Sequence, residues 1–209
     1  TMKDKIWMSK PEQPPAEGGE VVEQVPVIFL GGDQDSAPSD DSVEVVQNKI
    51  FFYADVSRSD VLKLNKHLDT LEKRVLTSAI LLDSDPSSIF LHINSFGGSL
   101  FAGLAAVDYI KKCKVPVHTV IDGCAASAAT LMSIVGQERK IHRHSFMLIH
   151  QLSTLMWGKY EDLKDDMKNN DLLMKTIKNI YMEHTKIPKR QLNKILKHDI
   201  WWDAETCLK

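Results

Sequence analysis

The alternation of apolar and polar residues changes period several times along the chain, and each change marks an element. From Met2 to about Gly19 the sequence is polar and Pro-rich (KPEQPPAEGGE), too poor in apolar residues to offset the entropy of ordering, and residues 1–22 are expected to be a disordered tail. VVEQVPVIFL and SVEVVQNKIFFY read as two strands joined by GGDQDSAPSDD, so residues 23–48 are expected to form an N-terminal hairpin with a mobile tip. NKIFFYADVS reads as a strand, and apolar residues return at helical spacing through SRSDVLKLNKHLDTLEKRVLTSAILLDSD, behind a Ser or Asp cap.

A strand, turn and helix unit then occurs twice. SSIFLHINS predicts a buried strand, Gly97 and Gly98 break it, and SLFAGLAAVDYIKKC resumes with helical period. VPVHTVIDG predicts the next strand, Cys124 to Ala126 a tight turn of small residues, and SAATLMSIVG a helix ending at Gly136. RKIHRHSFMLIHQ adds a strand ending at His150. A loop with Gly158 leads into a long amphipathic helix over 160–184, then a shorter one, IPKRQLNKILKH, with Pro188 near its start. Repeated units with short connections predict a layered α/β fold over residues 49–209.

Composition narrows the function. The chain has 209 residues, 43% hydrophobic and 26% charged, within the range of ordinary globular domains. Its net charge of -2 hides a split, because residues 1–48 carry ten acids against three lysines while the remainder carries 18 acids against 23 Lys and Arg. That basic excess is spread over amphipathic helices without interleaved aromatics, which argues against nucleic acid as a partner. No stretch reaches the roughly 20 apolar residues of a membrane helix, so no membrane association is expected. Cys113, Cys124 and Cys207 form no CxxC pair and are odd in number, which predicts a reducing, cytoplasmic setting.

Three residues stand out for chemistry. Ser127 lies where a strand meets a helix, in GCAASAA, with bulk kept away from it. A nucleophilic serine needs such access for a carbonyl, with backbone N–H groups facing the developing oxyanion. By itself a serine there is an ordinary helix cap. His150 closes the apolar strand FMLIH, a position suited to a general base and equally to a solvated strand-end histidine. Asp199 lies in KHDIWWDAE, between a basic helix end and two tryptophans, where partial burial would let it orient an imidazole. Alone it reads as a surface aspartate.

The turn HINSFGGS weighs against those bland readings, because its glycines leave backbone N–H groups open to an anion. Gly98 and Gly103 match the outer spacing of a phosphate-binding loop, but Leu104 and Ala105 stand where Lys and Ser or Thr are required, so no nucleotide cofactor is expected. His142 and His144, an HxH without further clustered Cys, His or acid, read as the exposed face of a strand, and no metal is expected. Trp201 and Trp202 read as packing near the chain end, and Cys124 as a small filler.

INSFGGSLFAG, GCAASAATLMSIVG, RHSFMLIHQ and HDIWWDAE, in that order, resemble the signatures of the ClpP peptidases, within the crotonase-like superfamily, over about residues 49–205. The order Ser, His, Asp differs from the chymotrypsin, subtilisin and α/β-hydrolase orders. The resemblance implies a ClpP/crotonase-like fold with a protruding handle helix from Tyr160. It also implies Ser127 as nucleophile, His150 as base, Asp199 as its orienting residue, and the N–H groups of Gly98 and Ala128 as oxyanion hole. It further implies a serine endopeptidase subunit of heptameric rings, two of them stacked, or of mixed rings with a paralogue, cleaving unfolded polypeptides fed by an AAA+ unfoldase. The segment QLSTLMWGK lacks the family's proline and glycine pair after the histidine, Phe96 replaces a proline of the Gly turn, and the acidic N-terminal region is longer than the family's axial hairpin. A catalytically silent ring subunit is the alternative within the family, and an acyl-CoA enzyme of the crotonase type the alternative outside it.

Overall fold

The computed structural model describes residues 42–209. The tail over 1–22 and the first expected strand, VVEQVPVIFL, lie outside the described residues. Within them, seven strands and six helices form an α/β fold. The strands are β1 (Val43–Val46), β2 (Lys49–Phe52), β3 (Ile89–Ser95), β4 (Val117–Ala126), β5 (Arg139–Ile141), β6 (Phe146–Leu148) and β7 (Trp201–Asp203). The helices are α1 (Arg58–Leu82), α2 (Leu100–Lys112), α3 (Ala128–Ile134), α4 (Tyr160–His184), α5 (Lys189–Ile195) and α6 (Ala204–Leu208). Together the strands make one sheet in the order β1-β2-β3-β4-β6-β7, with β5 also on β4, parallel from β2 to β6 and antiparallel at the β1 and β7 edges.

Local chemistry sets the elements. Ser57 caps α1 by accepting from the Asp60 N–H at 3.1 Å, and Ser99 caps α2 by accepting from the Ala102 N–H at 3.3 Å. Val61, Leu64, Leu68, Leu71 and Val75 form the buried stripe of α1, at the helical spacing read in the sequence. In β3 Ile89, Leu91, Ile93 and Ser95 are buried and Phe90, His92 and Asn94 half-buried, so the core lies on one face of the sheet. There it meets α1, α2 and the wholly buried α3. No helix among the described residues is long and apolar enough to cross a membrane.

Four details depart from the sequence pattern. SVEVVQNKIFFY is two strands, because the chain reverses at Gln47 and Asn48, with Gln47 at a φ of 58° and its carbonyl held by Arg74. Cys124 to Ala126 are not a turn: β4 runs on to Ala126 after a bulge at Gly123, whose φ of 78° turns the strand from β5 to β6. RKIHRHSFMLIHQ is two short strands, so His142 and His144 lie in the turn between them rather than on a strand face. His142 also has a histidine and an aspartate from other strands beside it, contrary to the expectation of an unclustered pair. Finally, WWD of the last segment adds β7 to the sheet edge.

Candidate functional site

Strand register assembles the site. Ala126 pairs with Leu148 in the parallel β4/β6 ladder, and Leu148 pairs with Trp201 in the antiparallel β6/β7 ladder. Carrying both registers past the strand ends sets Ser127 beside Ile149 and Asp199 opposite His150. Three side chains far apart in sequence thus leave the same end of three adjacent strands. Main-chain bonds fix this end: the Ser127 N–H donates to the Leu148 carbonyl at 2.9 Å, and the Gln151 N–H to the Leu196 carbonyl at 2.8 Å. The second of these ties the residue after His150 to the end of α5, from which Asp199 follows.

Ser127 joins β4 to α3 with φ 53° and ψ -125°, a conformation L-residues rarely adopt. What holds it is packing beneath. The buried Thr130 hydroxyl donates to the Ser127 carbonyl at 2.5 Å, the Thr130 N–H donates to the same oxygen at 3.0 Å, and the Thr130 hydroxyl also meets the buried Tyr181 hydroxyl of α4. Burial pushes the Tyr181 phenol well above its ordinary pKa, partly offset by the Thr130 bond, so the phenol stays protonated. Sequence reasoning missed both residues, since a Thr one turn into a helix and a Tyr near the end of another carry no local signal.

The glycine turn packs against this junction. A Cβ on Gly97, at a φ of 98°, would stand 2.6 Å from both the Ala126 carbonyl oxygen and Ser127 Cβ, and 3.2 Å from the Ala128 nitrogen. A Cβ on Gly98 would stand 2.7 Å from the Val56 carbonyl oxygen. Only glycine permits these approaches. The turn is stitched to Val56 on both sides: the Val56 N–H donates to the Gly97 carbonyl at 2.7 Å, and the Ser99 N–H to the Val56 carbonyl at 2.8 Å. Among the described residues the N–H groups of Gly98 and Ala128 donate to no backbone carbonyl. Gly103 serves packing rather than phosphate, its Cα facing Ala128 Cβ.

The three side chains are near one another without being fully engaged. His150 Nδ1 lies 3.6 Å from Asp199 Oδ1, an ion-pair separation longer than a hydrogen bond, and among the described residues no hydrogen bond joins Ser127 to His150. The His150 side chain is 20% exposed and that of Asp199 77%. The expected partial burial of Asp199 is therefore corrected: Trp201 turns edge-on to Phe96, with ring centroids 6.3 Å apart, instead of covering the carboxylate. The thiols offer no rival nucleophile. Burial raises Cys113 and Cys207 to about 11 and also raises Cys124, so all three stay protonated near neutral pH. All three are free.

Beyond the site, α4 buries only Ile177 and Tyr181 from its 25 residues, and Leu155, Trp157, Tyr160 and Leu172 stand exposed along its N-terminal half and the segment leading into it.

The chain is similar in sequence to known proteins. The chain is 32% identical over 139 residues to an ATP-dependent Clp protease proteolytic subunit of Deinococcus radiodurans, covering 65% of this chain and 68% of that one. It is 30% identical over 171 residues to the ATP-dependent Clp protease proteolytic subunit 1 of Chlamydia caviae, covering 68% of this chain and 88% of that protein. A proteolytic subunit of the same description from Streptococcus mutans is 30% identical over 147 residues, covering 68% and 75%. Residues 47–209 match the Clp protease family model, a span that holds the whole strand and turn framework around Ser127, and the chain belongs to the Clp protease family.

Proposed function

We propose that the chain is a serine endopeptidase subunit in which Ser127 attacks a peptide carbonyl, His150 takes its proton, and Asp199 orients the imidazole. The observation that carries this reading is the shared register of β4, β6 and β7, which brings Ser127, His150 and Asp199 to one sheet end beside a strained serine backbone. The N–H groups of Gly98 and Ala128 are assigned to the oxyanion, with the bare Cα of Gly97 allowing the glycine turn to lie against Ser127. His150 then returns the proton to the leaving amine, and water attacks the acyl-serine with His150 again as base.

We assign the engagement of the triad to assembly. The exposed apolar residues along α4 suit contact with further copies of the chain, forming heptameric rings that stack in pairs or mixed rings with a paralogue. The relatives' descriptions as ATP-dependent subunits support an ATP-driven unfoldase as the source of unfolded substrate. The open contact between His150 and Asp199 favours one second reading, a ring subunit that shapes the chamber without cutting.

Labelling with a fluorophosphonate, read by intact mass on wild type and Ser127→Ala, with assembly state measured by light scattering on the same samples, separates the two. One adduct per wild-type chain and none on the variant supports the peptidase. An assembled ring that takes no label overturns it in favour of the silent subunit.

A further inference from the structure

A second cluster of titratable groups lies apart from Ser127, on the sheet face away from the helices. His92 of β3, Asp122 of β4 and His142 just beyond β5 each offer one ligand atom, and these atoms all lie within 4.8 Å of one another. His92 Nδ1 is 2.7 Å from Asp122 Oδ2, and His142 Nε2 is 3.1 Å from Asp122 Oδ1. The arrangement follows from the ladders. Ile121 pairs with Ile141 and the His142 N–H donates to the Ile121 carbonyl at 3.1 Å, which puts His142 beside Asp122. His92 pairs with Val120, which puts Asp122 two residues along β4 from that partner and on the same face.

Two of the three side chains are held in place. The His92 ring stacks on Phe51, with centroids 4.8 Å apart, and the Tyr53 hydroxyl donates to Asp122 Oδ2 at 2.9 Å. Such an outer partner fixes the orientation of a metal-ligating carboxylate. His142, by contrast, is 65% exposed and free to adjust.

Asp122 Oδ1 separates a ligand set from an ordinary hydrogen-bonded cluster. This oxygen is buried and accepts no hydrogen bond, although His142 Nε2 stands near it, because the contact lacks the direction of one. A carboxylate oxygen withdrawn from water and left unbonded is unfavourable. A cation between Oδ1 and the two imidazoles would satisfy it. A tetrahedral ion with bonds of about 2.0–2.2 Å sets its ligand atoms roughly 3.3–3.6 Å apart, inside the 4.8 Å that bounds the three ligand atoms here. Two imidazoles and one carboxylate suit zinc and its neighbours rather than calcium or magnesium, which prefer all-oxygen shells.

We propose that His92, Asp122 and His142 bind one divalent ion of the zinc class, with water in the fourth position. The ion ties β3, β4 and the β5–β6 turn together where β4 bulges at Gly123 before continuing to Ser127. The site is independent of the peptidase reading.

The test is titration of the untagged full chain, stripped of metal by chelation, with Co2+ followed by its visible absorption and with Zn2+ followed by thermal denaturation. One Co2+ per chain with the intense bands of a tetrahedral site, and a higher melting temperature in Zn2+, are expected. His142→Ala, at an exposed turn position that leaves the fold intact, weakens uptake at least about tenfold and abolishes the thermal shift, while His144→Ala changes neither. Asp122→Asn, judged on folded protein by circular dichroism, behaves as His142→Ala does. Absence of the bands in the wild type, or uptake unchanged in His142→Ala, overturns the proposal.

Discussion

Asp199 Oδ1 stands 3.6 Å from His150 Nδ1, opposite it in the continued β6/β7 register, with most of the carboxylate in solvent. Water screens a charge so exposed, and its hold on the imidazole is weaker than that of a buried aspartate. Losing a buried triad aspartate lowers turnover by about 10⁴-fold. For Asp199→Asn we expect the rate of fluorophosphonate labelling at Ser127 to fall by about 10- to 100-fold, measured on samples of equal assembly state. A fall near 10⁴ would mean that assembly buries this carboxylate.

Gly97 is the position at which a single methyl group meets the site. Its added Cβ would press on a carbonyl and on Ser127 Cβ, neither at the end of a flexible side chain, and its φ of 98° is unfavourable to alanine. Gly97→Ala is expected to cost about 1–3 kcal/mol of stability, seen as a lower midpoint in urea, and to slow labelling of Ser127 by displacing the Ser127–Ala128 backbone. Stability and labelling both unchanged would mean that the turn does not brace the serine.

Much of this architecture was legible in the sequence wherever a long period or a glycine marked it. The buried stripe of α1, the alternation in β3 and the long α4 follow directly from apolar spacing. Reversals without glycine were not legible: Gln47–Asn48 offers a single Asn between apolar runs, and the turn through His142 and His144 carries neither Gly nor Pro. Strand β7 was hidden because three residues are too few to show a period. Within the site, Ser127 and the Gly97–Gly98 turn could be read because chain punctuation and small residues mark them. The exposure of Asp199 could not, because neighbouring tryptophans suggest cover and only their packing reveals that Trp201 turns to Phe96. The grouping of His92, Asp122 and His142 is a matter of register between strands, which no local pattern encodes.

Thr130 and Tyr181 form a buried polar pair beneath the strained serine. Thr130→Val deletes the hydroxyl donor to the Ser127 carbonyl and orphans the Tyr181 hydroxyl, for an expected loss of about 1–3 kcal/mol. Tyr181→Phe removes one partner of the same contact. The double variant should therefore cost less than the sum of the single ones, by roughly 0.5 kcal/mol or more, in a double-mutant cycle read from chemical denaturation. Additive losses would mean that the two hydroxyls act independently.

His184, the last residue of α4, gives stability a pH dependence of definite sign. Its side chain is 16% exposed, and its pKa lies below the usual 6.5, first because of burial and then because of Lys111, with Arg139 adding to the effect and Glu183 opposing it. The folded chain disfavours the imidazolium, so between the lowered folded pKa and the unfolded value the unfolded chain binds more protons. Stability therefore rises with pH across that window and is lost as pH falls below about 6.5. Arg139 also donates to the His184 carbonyl, which keeps a positive guanidinium at the same helix end. Urea denaturation at pH 7.5 and 5.5 should show a larger loss on acidification for wild type than for His184→Gln, which has no imidazole to protonate. Equal losses would show that His184 is as readily protonated in the folded chain as in the unfolded one.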